Sequence, residues 1–87
     1  MKTGFKSFAR DLKAIKNETV LESVAKLIEA VEAAKNLRAI PDVKKLKAKG
    51  DYYRIKLGDY RVGITLNKDV ITFVRCLDRK EIYRYFP

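Results

Sequence analysis

The chain has 87 residues, 20 Lys plus Arg against 11 Asp plus Glu, and a formal net charge of +9. That is one small domain, residues 1–87, with a single core, and a charge that favours a polyanionic partner. No histidine and one cysteine exclude the usual zinc sites and an intrachain disulfide, so no metal or other cofactor is expected. The apolar runs are too short for a bilayer span and Met1-Lys2-Thr3-Gly4-Phe5-Lys6 lacks the apolar stretch of a signal peptide, so a cytoplasmic protein without membrane contacts is expected.

In chain order, residues 1–6 carry one large apolar side chain, Phe5, and predict at most an edge strand. Phe8, Leu12 and Ile15 then fall at helical spacing, and Val20, Val24, Leu27, Ile28 and Val31 repeat the pattern in a second helix ending near Ala34 or Lys35. Thr19-Val20-Leu21-Glu22 fits a capping box for that second helix. The polar helix faces, with Arg10, Lys13, Lys16, Lys26, Glu29 and Glu32, read as solvated surface. Residues 36–50 read as irregular, broken at Pro41-Asp42. Their lysines Lys44, Lys45, Lys47 and Lys49 either solubilise a loop or track a nucleic-acid backbone.

Three strand-like runs follow, Tyr52–Leu57, Tyr60–Leu66 and Val70–Leu77, joined by turns at Gly58-Asp59 and Lys68-Asp69, which predicts an antiparallel meander. A two-residue Gly58-Asp59 loop sets Leu57 opposite Tyr60, Lys56 opposite Arg61, Ile55 opposite Val62 and Arg54 opposite Gly63. Alternation then puts Arg54, Lys56 and Arg61 on one face and Ile55, Leu57, Tyr60 and Val62 on the other. Facing like charges weaken a sheet, so an anion such as RNA phosphate is expected between Lys56 and Arg61. The second turn pairs Leu66 with Ile71 and Ile64 with Phe73. It also drops Arg75 on the core side opposite Val62, a misfit that only a head group at the sheet margin relieves. Cys76 reads as a small strand residue, Tyr52, Tyr53 and Tyr60 as packing residues, and Phe86, Leu37 and Ile40 as apolar anchors. The end of the chain, Arg79-Lys80-Glu81-Ile82-Tyr83, reads as a last helical turn. The predicted fold is α+β: an N-terminal helical hairpin on a small twisted antiparallel sheet whose other face is basic.

Two helices, a lysine-rich loop, the Tyr-Tyr-Arg-Ile-Lys-Leu-Gly-Asp-Tyr-Arg hairpin and the Arg79–Tyr83 tail together resemble the RelE/ParE superfamily of toxins from toxin–antitoxin pairs. The resemblance implies a ribosome-dependent endoribonuclease that cuts mRNA in the A site and is held inactive by a cognate antitoxin, expected to wrap it with an acidic amphipathic segment. By the same resemblance the family's catalytic cations match Arg54, Lys56, Arg61 and Arg79. The tyrosine is Tyr83 by the Arg-x-x-x-Tyr spacing or Tyr85 by the wider RelE spacing, with Tyr85 preferred and Tyr83 then packed beneath the sheet beside Ile82 or Phe86. In that scheme Lys56 serves as base, Arg61 and Arg54 clamp phosphate, Gly63 leaves room for the RNA backbone, Arg79 stabilises or protonates the leaving oxygen and a tyrosine stacks on a base. Two alternatives stay open: a ParE-like gyrase inhibitor without ribonuclease activity, and a catalytically silent relative that binds antitoxin or nucleic acid. The latter rests on Asp78, which stands beside Arg79 where many relatives carry histidine or lysine.

Overall fold

A computed structural model describes all 87 residues. Strand β1 (Lys2–Phe5) is followed by helices α1 (Phe8–Ala14) and α2 (Glu18–Ala33), a 3₁₀ turn at Leu37–Ala39, strands β2 (Val43–Lys45), β3 (Tyr52–Leu57), β4 (Tyr60–Asn67) and β5 (Val70–Asp78), and helix α3 (Arg79–Tyr85). The five strands form one sheet in the order β1-β5-β4-β3-β2. The α+β class is as the sequence predicts, with two corrections. The edge strand allowed for residues 1–6 is present as β1, but it pairs with β5 in parallel, Lys2 with Val70 through Phe5 with Phe73, so the sheet is mixed rather than antiparallel. The second correction is β2, which lies in the stretch read as irregular. Val43 pairs with Ile55, Lys44 with Arg54 and Lys45 with Tyr53. Three residues broken from the preceding turn are too few to show a strand period.

The β3–β4 hairpin has the predicted register, with Lys56 opposite Arg61 and Arg54 opposite Gly63. Gly58 has φ 61°, which the two-residue loop requires and glycine adopts without steric cost. Between β4 and β5 the pairing Leu66–Ile71 and Ile64–Phe73 holds, but a bulge then shifts the ladder so that Gly63 pairs with Arg75 and Val62 with Cys76. One extra residue restores the alternation, and the core side receives a buried cysteine instead of an arginine.

Helix α2 starts two residues earlier than a Thr19 cap would place it. Asn17 is the cap, its side-chain oxygen accepting from the amides of Thr19 and Val20 at 2.9 and 3.3 Å. At its other end the α-ammonium of Met1 donates to the carbonyls of Val31, Glu32 and Ala34, a cation at the negative end of the helix dipole. Val24, Leu27 and Val31, on one helical stripe, meet Ile55, Val62, Ile64, Ile71, Phe73 and Cys76 of the sheet. Phe8 joins them from α1, its ring 5.2 Å from that of Phe73. Ile40 is buried as an anchor of the same core, and Leu37 is half-buried against it.

Arg75 is the residue for which the sequence offers no satisfactory place. Its Nε and Nη2 donate to Asp11 of α1 at 2.8 and 3.1 Å, and the same carboxylate accepts from the Cys76 amide at 2.8 Å. Strand β1 ends at Phe5 and pairs with β5 only as far as Phe73, so beyond that point a side chain must satisfy the β5 edge. Asp11 does so with only 7% of its surface exposed. The bonded carboxylate raises the Arg75 pKa above its ordinary value. Burial, helped by the Asp11 charge, pushes the Cys76 thiol up to about 12, which leaves it neutral and unreactive.

Candidate nucleic-acid interface

Helix α3 folds back over the sheet face that the other helices leave open. Asp78 caps it by accepting from the Lys80 amide at 2.9 Å, and the Arg79 amide donates to the Asp59 carbonyl of the neighbouring hairpin. Ile82 is fully buried beneath the helix, and Phe86, just past its end, is 4% exposed. The Phe86 ring fills the gap over Gly63: a Cβ built at that glycine would lie 2.7 Å from two of the ring atoms. The space over Gly63 therefore seats a side chain of this chain rather than an RNA backbone. Tyr52 meets the same ring edge-on at 5.7 Å between centroids.

This seat fixes the two tyrosines on different sides of α3. Tyr83 lies over Arg54, its ring centroid 4.5 Å from the guanidinium carbon, and is 66% exposed rather than packed under the sheet. Tyr85 lies instead at Arg75, 5.5 Å from that guanidinium, beside the Asp11 pair. The tyrosine beside the basic hairpin is thus Tyr83, one helical turn beyond Arg79. The wider spacing points elsewhere because residues 83 and 85 lie about 200° apart around a helix.

A cleft of about 370 Å³ opens on this face, lined by Asp42, Val43, Lys44, Arg54, Lys56, Arg61 and Tyr83. Four cations and one exposed aromatic ring converge on it. Arg54 is half-buried and Lys56 exposed. Arg61 is anchored by its own hairpin, Nη1 donating to the carbonyls of Gly58 and Tyr60 at 2.8 Å each. Those carbonyls turn Arg61 toward the loop, while its remaining guanidinium donors stay free to meet an anion. Arg79 is exposed at the start of α3, outside the cleft lining.

The four loop lysines separate. Lys44 lines the cleft opposite Arg54 and Lys47 lines a neighbouring one. Lys45 points to the other face, with its ammonium 3.6 Å from Asp51 and 6.0 Å from the Tyr53 ring. Lys49 is exposed in the turn beyond β2. Asp42 is the cleft residue that sequence reasoning overlooks. It reads as part of a chain break, yet it has φ 61° and its carbonyl accepts from the Lys56 amide, which brings it to the edge of β3. No cluster of three or more acidic or thiol side chains is placed to hold a metal ion.

One face of the sheet is buried against α1 and α2, and the other carries a cationic cleft beside a short helix, a surface complementary to negative charge. Residues 6–83 match the family described as the ParE toxin of type II toxin–antitoxin systems. The chain is 41% identical over 83 residues to toxin RelE3 of Methanocaldococcus jannaschii, spanning 94% of this chain and 93% of that protein. Its fold superposes with a TM-score of 0.82 on the RelB–RelE antitoxin–toxin complex from Methanococcus jannaschii, at 38% identity over the whole of both chains. With the archaeal RelE–RelB complex from Pyrococcus horikoshii OT3 the TM-score is 0.73 at 26% identity, over 90% of this chain and 93% of the other. The chain belongs to the RelE/ParE superfamily of type II toxins.

Proposed function

We propose that this toxin is an mRNA endoribonuclease of the RelE type, acting in the cytoplasm on message held in the ribosomal A site without a metal ion. The observation that carries the reading is the convergence of Lys44, Arg54, Lys56, Arg61 and Tyr83 on one cleft. Cleavage proceeds by attack of the RNA 2′-oxygen on the adjacent phosphorus, giving a 2′,3′-cyclic phosphate and a free 5′-hydroxyl. The 2′-hydroxyl proton must leave, charge must be stabilised on the phosphoryl oxygens, and the 5′-oxygen must receive a proton. Lys56 serves as the proton acceptor, while Arg54 and the free donors of Arg61 hold the phosphoryl oxygens. Arg79, one turn from Tyr83, meets the departing oxygen, and Tyr83 stacks on a base with its other ring face on Arg54. The roles of Lys56 and Arg79 as base and acid are interchangeable in this scheme.

A cognate antitoxin is the toxin's partner, and an acidic segment would inhibit by placing carboxylates in the cleft. Asp78, the residue that favours a silent relative, is occupied in capping α3. The test is induced expression without antitoxin, followed by primer extension on translated and untranslated copies of one message. Cuts in the translated copy alone, and purified activity that persists in EDTA, are the expected results. Intact message with replication failing first would mark a gyrase-directed toxin instead. Tyr83→Ala should slow cleavage about 5- to 150-fold, the worth of a lost base stack, and Tyr85→Ala should not.

A further inference from the structure

Tyr83 and Arg54 form a wall between two clefts. On the far side from Lys56 lies a second opening of about 250 Å³, lined by Leu46, Lys47, Arg54, Tyr83, Phe86 and Pro87. Its composition differs from that of the first. Three lining residues are apolar, and the charged side chains are Lys47 and the shared Arg54, both donors only.

Resting on the ribonuclease reading above, we propose that this second cleft seats the base of the nucleotide next to the scissile phosphate. A strand whose phosphate lies against Arg54 on one side must carry the adjoining nucleotide past the Tyr83 ring, and the shared wall leads into this opening. The chemistry suits a base. Leu46, Phe86 and Pro87 offer apolar surface for its faces, Tyr83 is 66% exposed, and Lys47 offers a cation to acceptor atoms on its edge. A second phosphate is the poorer fit, because an apolar surface cannot replace its hydration. The cleft is well held. Phe86 is locked over Gly63, and the Leu46 amide donates to the Tyr52 carbonyl at 2.8 Å, so the two walls are tied to one sheet. Leu46 and Lys47 are specificity-determining residues in this scheme, remote from the reacting bond.

The test uses the full chain and ribosomes programmed with a short mRNA whose A-site codon carries a methylated 2′-hydroxyl at the cleavage site, with fluorescent 2-aminopurine placed on one side or the other of the blocked phosphate. Quenching at one of the two positions only is expected. Leu46→Ser and Lys47→Met should each weaken that quenching and lower affinity by about threefold to tenfold, part of the worth of one stacked base. In parallel, sequencing of cleaved ends should show a base preference at that position that flattens in both variants while cutting continues. Equal quenching at both positions, no quenching, or an unchanged preference in both variants overturns the subsite. Absence of any cleavage by the unmodified toxin on translated message would overturn the ribonuclease reading, while the fluorescence arm, which needs no cleavage, still judges the cleft. Lys47 is exposed, so Lys47→Met keeps the test open even if Leu46→Ser disturbs the loop.

Discussion

Arg75 and Arg61 project from adjacent strands of one sheet, and their surroundings are opposite. Arg75 makes two hydrogen bonds to a buried carboxylate that also closes the β5 edge, and so serves the fold. Arg61 directly faces another cation, Lys56, and is anchored by two backbone carbonyls with no carboxylate in salt-bridge range. A buried charge needs a full set of partners, whereas an exposed one can be left with donors to spare. Facing cations on a sheet do not stabilise it, and their spare donors suit the binding role proposed above.

The largest effect should separate the two regions by activity. Lys56→Ala should lower cleavage by about 100-fold or more, the usual loss for a proton-transfer group, while the melting temperature stays level or rises as repulsion is relieved. Arg61→Ala should also abolish cleavage, with a small stability change because one exposed and one part-buried hydrogen bond are lost with the repulsion. A clear drop in melting temperature for Lys56→Ala would place that cation in the scaffold with Arg75.

Asp11→Ala is the converse experiment. It strands the Arg75 guanidinium and the Cys76 amide together, and urea unfolding should show a loss of about 3 kcal/mol. A loss below about 0.5 kcal/mol, the range of an ordinary surface substitution, would break the comparison.

Gly63→Ala probes the link between the two faces. The new methyl group would collide with the body of the Phe86 ring, so either the core strains by about 1–3 kcal/mol or Phe86 leaves its seat and releases the end of α3. Both outcomes displace Tyr83 from Arg54 and should slow cleavage, and Phe86→Ala should slow it without the overpacking strain. Unchanged activity in both variants would show that the Phe86 seat does not position Tyr83.

The smallest effect at working pH belongs to Cys76. Its folded-state pKa is raised to about 12, so the unfolded chain loses this proton first as pH rises. Its contribution is complete below about pH 8.5, where a free thiol begins to ionise, and is lost progressively toward pH 12. Unfolding measured across that window should show stability falling with pH, and Cys76→Ala should reduce the slope.

Hairpin register, strand alternation and the α+β class were legible in the sequence because they depend on neighbours a few residues apart: a two-residue Gly58-Asp59 loop dictates every pair up to Tyr52–Thr65. The clustering of Arg54, Lys56 and Arg61 on one face followed from the same local rule. The +9 charge, likewise a property of composition alone, already called for a polyanion. What lay beyond reach were contacts between distant segments. Asp11 and Arg75 are 64 residues apart, and no pattern in either stretch announces the other. The bulge that restores Cys76 to the core, the parallel pairing of β1 and the three residues of β2 depend on how whole elements meet, since each satisfies backbone groups that another strand leaves open. The placement of Tyr83 beside Arg54, and of Tyr85 beside Arg75, came last of all. It is made by the Phe86 ring settling over Gly63, which sets the rotation of α3, and only the packed molecule brings those two residues together.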